Sequence, residues 1–140
     1  MKVMRQSLIL LTIAVGLAGF STSVLTANLP AAKPDKGLVV FYRMSRAKGA
    51  AIRFEINDAA RGSIGLLSNG TILHQDLEPG NHTFTVRSPS VDGQDSITLN
   101  AEAGQTYYVK GEILWGWPAG RPKFSRMPES DALADLKRLQ

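Results

Sequence analysis

Short apolar segments alternate with clusters of turn-forming residues from Gly37 onward, at a spacing of about ten residues. Segments this short and evenly spaced are typical of a sandwich or a barrel built from strands. In residues 52–57 and 83–87, apolar and polar side chains alternate, as in a strand with one face in the core. Residues 38–42 are apolar at every position, which predicts a central strand.

The residues between these segments predict particular turns. Asn69-Gly70 lies between two apolar segments and predicts a type I′ hairpin, because both turn positions need a positive φ. Pro79-Gly80 predicts a type II turn, and Gly104 predicts a further reversal of the chain. The polar residues 88–95 are interpreted as a loop. The predicted structural turn residues are Asn69, Gly70, Pro79, Gly80 and Gly104.

The C-terminal third predicts a long strand over 107–115, an edge strand over 122–127 and a helix over 130–139 that Ser130 caps. Together these patterns predict a mainly β fold. We expect an immunoglobulin-like antiparallel β-sandwich of about seven strands with a short C-terminal helix, covering residues 37–140.

The N-terminal region has a different composition. Lys2 and Arg5 precede a stretch without any charged side chain that extends to Ala32. A basic start followed by an apolar stretch is typical of an export signal. We therefore interpret residues 1–27 as a signal peptide or an uncleaved membrane anchor, and residues 28–36 as a linker. A retained segment could tether the chain to a membrane through residues 7–29.

The export signal lacks one residue that a lipoprotein signal requires. Leu17-Ala18-Gly19 is followed by Phe20 where a lipoprotein has the cysteine that carries the lipid, and the chain contains no cysteine. Three alternatives remain: cleavage near Ser23 or Ala27, retention as an uncleaved anchor, or a wrongly chosen start of the chain. The corresponding locations are the periplasm or the medium after cleavage, and otherwise the inner membrane with the domain facing the periplasm.

The composition excludes several chemistries. Without cysteine, there is no disulfide, thiolate metal site or cysteine nucleophile. The net charge is +4, but Lys2 and Arg5 belong to the export signal, and the remaining +2 does not indicate nucleic acid binding. His74 and His82 are interpreted as a surface residue and a core-edge residue. We therefore predict no catalytic residue, no metal and no cofactor.

Aromatic residues near the end of the long strand are the best candidates for a binding surface, because they can stack on a sugar, a peptide or a headgroup. A basic residue follows them after a glycine-rich loop. The alternative is that Tyr107 and Trp115 fill the core while Tyr108 lies on the outer face. The binding candidates are Tyr108, Trp115, Trp117 and Arg121.

Four segments carry a resemblance to a known family: 36–43, 67–70, 79–83 and 103–109. In their order and spacing they resemble a bacterial envelope family that is classed as a domain of unknown function and is similar to surface sandwich modules named for a Pro-Glu-Gly-Ala motif. The resemblance covers about Lys36 to Gln140. It implies a secreted or lipid-anchored β-sandwich and assigns no catalytic residue, and Phe20 departs from the lipoprotein pattern of that family.

Three hypotheses for function follow. The first is an exported, non-enzymatic envelope module that binds a protein or a cell-wall component. The second is a periplasmic hydrolase or metal-binding enzyme, which predicts a pocket with His74 or His82 and converging carboxylates. The third is a structural protein that an uncleaved N-terminus tethers to the inner membrane.

Overall fold

The computed structural model describes residues 29–117 and 119–140, and the predicted signal or anchor over 1–27 lies outside these residues. The elements, in chain order, are β1 (Gly37–Tyr42), β2 (Phe54–Asp58), β3 (Gly62–Leu67), β4 (Ile72–Leu77), β5 (Gly80–Ser88), β6 (Val91–Ala101), β7 (Thr106–Leu114), β8 (Arg121–Met127) and α1 (Glu129–Lys137). The fold is mainly β, as predicted. No helix within the described residues is long and apolar enough to cross a membrane.

The strands form two four-stranded sheets, in the orders β4-β1-β7-β8 and β3-β2-β5-β6. All neighbouring strands are antiparallel except β1 and β7. The sheets pack face to face through one apolar core, in which the Phe41 ring lies 5.1 Å from that of Phe84 on the other sheet. The described residues form eight strands where about seven were predicted, and the order of these strands differs from that of a constant-type immunoglobulin domain.

The central position predicted for the first strand is confirmed, since β1 lies between β4 and β7 and is buried on both faces. Its inner face contributes Val39 and Phe41 to the core between the sheets. Its outer face forms a second apolar cluster with α1, in which Val40 packs with Ala132 and Leu136 of the helix. The helix therefore covers the face of β1 that the other sheet does not reach.

The predicted hairpin at Asn69-Gly70 is wrong. The chain does turn there, and Gly70 has a φ of +68°, but β3 and β4 belong to different sheets and do not pair. The turn carries the chain from one sheet to the other, because β4 forms its hydrogen bonds with β1 and β3 forms its own with β2. Asn-Gly specifies a local reversal, and it does not specify which strand each arm will pair with.

The predicted loop over residues 88–95 is also wrong. Strand β5 continues to Ser88, and β6 begins at Val91, so that the turn is only two residues long. Residues such as Gln94 and Asp95 are poor strand formers, but they pair with β5 along an exposed edge, where polar side chains remain in water. The Asp95 carboxylate also accepts a 2.8 Å hydrogen bond from the backbone N–H of Phe124 and so joins the edges of the two sheets.

The predicted edge strand and C-terminal helix are present, with one correction. Pro128, and not Ser130, precedes the first turn of α1, which has no side-chain cap. The Pro128 carbonyl accepts a 3.0 Å hydrogen bond from Ala132 N–H. Proline needs no N–H partner and its fixed φ suits the entry to a helix, which explains why the helix begins before the serine.

The described part of the predicted linker, residues 29–36, lies against the domain. Leu29 and Ala32 pack on the apolar cluster beneath α1. The Lys33 ammonium lies 2.5 Å from the Asp76 carboxylate on β4, and the Lys36 ammonium lies 2.8 Å from that of Glu78. These contacts hold the segment along the outer side of the sheet.

Candidate functional site

Four connections meet at one end of the sandwich, which we term the loop end. They are residues 43–53 after β1, 68–71 after β3, 89–90 after β5, and the β7–β8 connection with its described residues 115–117 and 119–120. The strand register places them together: β1 and β7 run parallel and finish at the same end, where β4 and β8 begin. Two of the predicted binding candidates, Trp115 and Trp117, lie on these connections.

Arg43 organises the first connection. Its guanidinium donates hydrogen bonds to the carbonyl oxygens of Ile52 and Gly49, the latter at 2.8 Å, and lies 4.5 Å from the centre of the Phe54 ring. The side chain is buried, and burial lowers its pKa. The two carbonyl groups are neutral. Their hydrogen bonds with Arg43 therefore hold the loop together but do not neutralise the positive charge of the guanidinium.

Trp115 packs against this loop from the β7 side. Gly49 has a φ of +80°, and a Cβ at this position would lie 2.7 Å from Ile113 Cδ1 and 2.9 Å from Trp115 Cζ2. Only glycine therefore allows the backbone to approach the indole this closely. The Lys48 ammonium lies 4.3 Å from the centre of the Trp115 ring, a cation–π contact that joins the two connections.

The Asn69-Gly70 turn positions a further basic residue. The Asn69 side-chain oxygen accepts a 3.0 Å hydrogen bond from the backbone N–H of Arg46. Gly70 lies next to Ser45, where a Cβ on the glycine would come within 3.3 Å of Ser45 Cβ. The turn that the sequence predicts as a hairpin thus acts as a support for the loop that carries Arg46.

These residues enclose a cleft of about 350 Å³, which we term the loop-end cleft. Its floor includes Gly111, where the sheets approach so closely that a Cβ would lie 3.1 Å from Leu67. Its charged and aromatic lining consists of Arg43, Arg46, Lys48, Glu112 and Trp115. Three cations therefore line the cleft together with one carboxylate, and an aromatic ring forms a wall.

The structure separates the four predicted binding candidates. Trp115 is half-exposed and lines the cleft, whereas Trp117 is 97% exposed and extends into solvent. Arg121 begins β8 at the same end, with its side chain passing over Gly93. Tyr108 is buried in the cluster beneath α1, and burial raises the pKa of its hydroxyl. Strand alternation puts Tyr108 on the outer face of its sheet, away from the cleft, and it serves in packing.

Sequence reasoning missed the cations of the cleft, which are Arg43, Arg46 and Lys48. Their signal was present as three basic residues within six positions, followed by a glycine. Basic residues this close in sequence usually lie on a solvated surface. Here they line a cleft, because Trp115 packs against Gly49.

At the opposite end of the sandwich, the predicted turn glycines have positive φ values, +125° at Gly80 and +76° at Gly104. Pro79 lies in the short link between β4 and β5, which belong to different sheets. The Gln105 N–H donates a hydrogen bond to the Glu102 carbonyl across the Ala103-Gly104 turn. These residues change the direction of the chain, and none of them lines the loop-end cleft.

The two histidines lie in different surroundings. His74 is exposed on β4 and borders a shallow cleft with Leu29 and Leu139, in which no aspartate or glutamate takes part. His82 is nearly buried: its Nε2 donates to the Glu78 carbonyl at 2.6 Å, and its Nδ1 faces Asp58 Oδ2 at 3.7 Å. Within residues 29–117 and 119–140, no group of three or more potential ligands is placed to hold a metal ion.

Comparison with protein-family models, curated proteins and solved structures found no match.

Proposed function

We propose that this chain is an exported, non-enzymatic envelope module that binds a protein or a cell-wall component through its loop end. The observation that carries the proposal is the loop-end cleft, where Trp115 and three cations from a separate connection line one concavity. Concave sites with an aromatic wall and a few charged groups are the usual form of a ligand site. The sandwich supports the proposal, since many surface-binding modules present loops at one end of such a frame.

Exposed apolar side chains around the cleft provide a second support. Trp117 is 97% exposed, Leu114 50% and Trp115 46%, and all three lie on or beside the β7–β8 connection. Large apolar side chains that cluster on one exposed segment often mark an interaction surface. The basic residues Arg121 and Lys48 lie beside this segment, and their positive charge favours a partner with anionic groups.

We also propose that residues 1–27 direct export, as a cleaved signal or a retained inner-membrane anchor. The structural tether hypothesis depends on retention. The intact mass of the protein recovered from cells that express the full chain distinguishes the two: loss of 23 or 27 residues excludes the tether, and the full mass supports it.

The binding proposal can be tested by cross-linking in intact cells that express the full chain. A photoreactive amino acid is placed at Trp117, in the proposed surface, and in a matched strain at Lys137, an exposed residue of α1. We expect an adduct of higher mass with the probe at 117 and none with the probe at 137. Recovery of monomer alone at both positions would contradict the proposal.

A further inference from the structure

We infer that the loop-end cleft binds a saccharide that carries an anionic group, a carboxylate or a phosphate. The anion would lie among Arg43, Arg46 and Lys48, and a face of the sugar ring would lie against Trp115. This inference rests on the proposed function and specifies the chemical class of its ligand.

The charged groups that line the cleft favour an anionic ligand. Four basic residues outside the cleft form ion pairs in the described part of the chain: Lys33 with Asp76, Lys36 with Glu78, Arg87 with Glu55, and Lys110 with Asp135. Other lysines and arginines outside the cleft, such as Arg121 and Lys137, have no such pair within these residues. Within residues 29–117 and 119–140, none of the three cations that line the cleft has a carboxylate within 4.0 Å. The carboxylate of the lining, Glu112, lies 3.6 Å from the Lys110 ammonium. The cleft therefore has a surplus of positive charge.

The burial of Arg43 also favours an anion. Its side chain is only 3% exposed, and the partners of its guanidinium are two carbonyl oxygens. A buried cation without a counter-ion is costly, and burial correspondingly lowers the pKa of this group. The guanidinium keeps donors beyond the two that these carbonyls use. An anion that enters the cleft would supply the missing charge.

The shape of the cleft favours a small ring over a membrane surface. A volume of about 350 Å³ is at the lower end of the range for ligand pockets and suits a group the size of one or two sugar rings. A flat bilayer cannot enter such a recess. Trp115 offers an extended aromatic surface in the wall, and Lys48 and Gly49 hold its indole in place. An aromatic face beside charged donors is suited to a ring with an apolar face and an anionic substituent.

The test compares sugars of similar structure that differ in net charge. The protein purified from cells expressing the full chain is titrated with the disaccharide N-acetylglucosaminyl-N-acetylmuramic acid, with N-acetylglucosamine 6-phosphate, and with neutral chitobiose. Vesicles that contain phosphatidylglycerol form a fourth arm. Calorimetry gives the affinities, and tryptophan fluorescence of the Trp117→Phe variant reports on Trp115. We expect at least one anionic sugar to bind about tenfold more tightly than chitobiose.

Two double variants remove the same charge from different places. Arg46→Gln/Lys48→Gln removes exposed cations of the cleft, and Lys137→Gln/Arg138→Gln removes exposed cations of the C-terminal region. We expect the first to weaken binding of the anionic sugar about tenfold or more and the second to leave it unchanged. Affinity of the unmodified protein should also fall as salt rises, because exposed charges are screened.

Equal affinity for neutral and anionic sugars, equal effects of the two double variants, or binding to the vesicles alone would overturn the inference. Failure here is distinguishable from failure of the proposed function. If the probe at Trp117 captures a partner and no sugar binds, the envelope-binding proposal stands and the anionic-saccharide inference falls. If an anionic sugar binds and cleft variants lose it, both are supported.

Discussion

The Tyr42 hydroxyl on β1 donates a 2.9 Å hydrogen bond to the Asp135 carboxylate on α1, which joins two residues 93 positions apart. This contact accompanies the apolar packing that attaches the helix to the outer face of the sheet. Because burial and the neighbouring carboxylate disfavour its ionised form, the pKa of the Tyr42 hydroxyl is raised. It therefore stays a hydrogen-bond donor throughout the physiological range.

Tyr42→Phe is expected to lower the free energy of unfolding by about 1.5 kcal/mol, since it removes one hydrogen bond to a charged group and keeps the ring. Tyr108→Phe is the matched control. Tyr108 lies in the same cluster and its hydroxyl forms no hydrogen bond to the residues that the structure describes, so we expect a change within about 0.5 kcal/mol. Denaturant unfolding measures both variants. Equal losses would show that the Tyr42–Asp135 bond does not stabilise the domain.

The Asp135 carboxylate should make the domain sensitive to acid. Burial acts to raise the pKa of Asp135, but hydrogen bonds from Lys110 and Tyr42 outweigh it, and the pKa lies below its ordinary value of 3.8. A group with a lowered folded-state pKa contributes stability that is complete above its unfolded pKa and is lost as pH falls through the folded value.

We therefore expect stability to fall as the pH drops below the ordinary carboxyl value, and to fall less in Asp135→Asn, which has no carboxylate to protonate. The pKa values of Asp76 and Glu78 are also lowered, by Lys33 and Lys36, and these groups contribute equally in both proteins. The measurement is the unfolding midpoint in denaturant as a function of pH. Parallel pH profiles for the two proteins would contradict the prediction.

Gly49 should be less tolerant of a side chain than another glycine of similar backbone conformation. Gly49 and Gly62 have φ values of +80° and +85°, but a Cβ at Gly62 would meet nothing within 4 Å, whereas at Gly49 it would meet Ile113 and Trp115. Gly62→Ala is expected to cost about 1–2 kcal/mol from backbone strain alone. Gly49→Ala should cost at least about 1 kcal/mol more.

Because relief of the clash requires Ile113 and Trp115 to move, Gly49→Ala should also change tryptophan emission, while Gly62→Ala should not. Thermal unfolding and fluorescence spectra check both effects. If the two variants unfold at the same temperature with identical spectra, the close packing of Gly49 on Trp115 has no energetic role.

Asp58 and His82 present an unusual pair of buried atoms. Among residues 29–117 and 119–140, Asp58 Oδ2 and His82 Nδ1 have no hydrogen-bond partner, and they lie 3.7 Å apart, while Asp58 Oδ1 accepts a 2.8 Å bond from Ala60 N–H. Because the imidazole Nε2 donates to the Glu78 carbonyl, Nδ1 of the neutral ring can only accept. In that form two acceptors face each other.

Asp58→Asn is therefore expected to maintain or raise stability at pH 8, since an amide can donate to Nδ1 and still accept from Ala60. Asp58→Ala should lower it by about 1–3 kcal/mol, because the hydrogen bond that the Asp58 carboxylate accepts from Ala60 N–H is lost. Urea unfolding at pH 8 compares the two. A loss in Asp58→Asn as large as that in Asp58→Ala would mean that the charge itself is required.

Local patterns predicted the elements well. Unbroken apolar character identified β1 as central, and positive φ values occur at Gly70, Gly80 and Gly104, as turn chemistry requires. The errors lie where pairing overrides local preference: polar residues 88–95 join a hairpin, and Asn69-Gly70 connects two sheets. Of the binding candidates, Trp115 lines a cleft, whereas Tyr108 is buried beneath the helix.

The sequence by itself determined most of the strand segments, which strand is buried on both sides and most positions where the chain turns, because these properties depend on alternation and backbone preference within a few residues. Only the tertiary structure decided which strands pair, and therefore which loops share an end. Arg43 and Trp115 line one cleft although most of the domain separates them in sequence. Their proximity follows from the parallel pairing of β1 with β7, a long-range contact that no local pattern encodes.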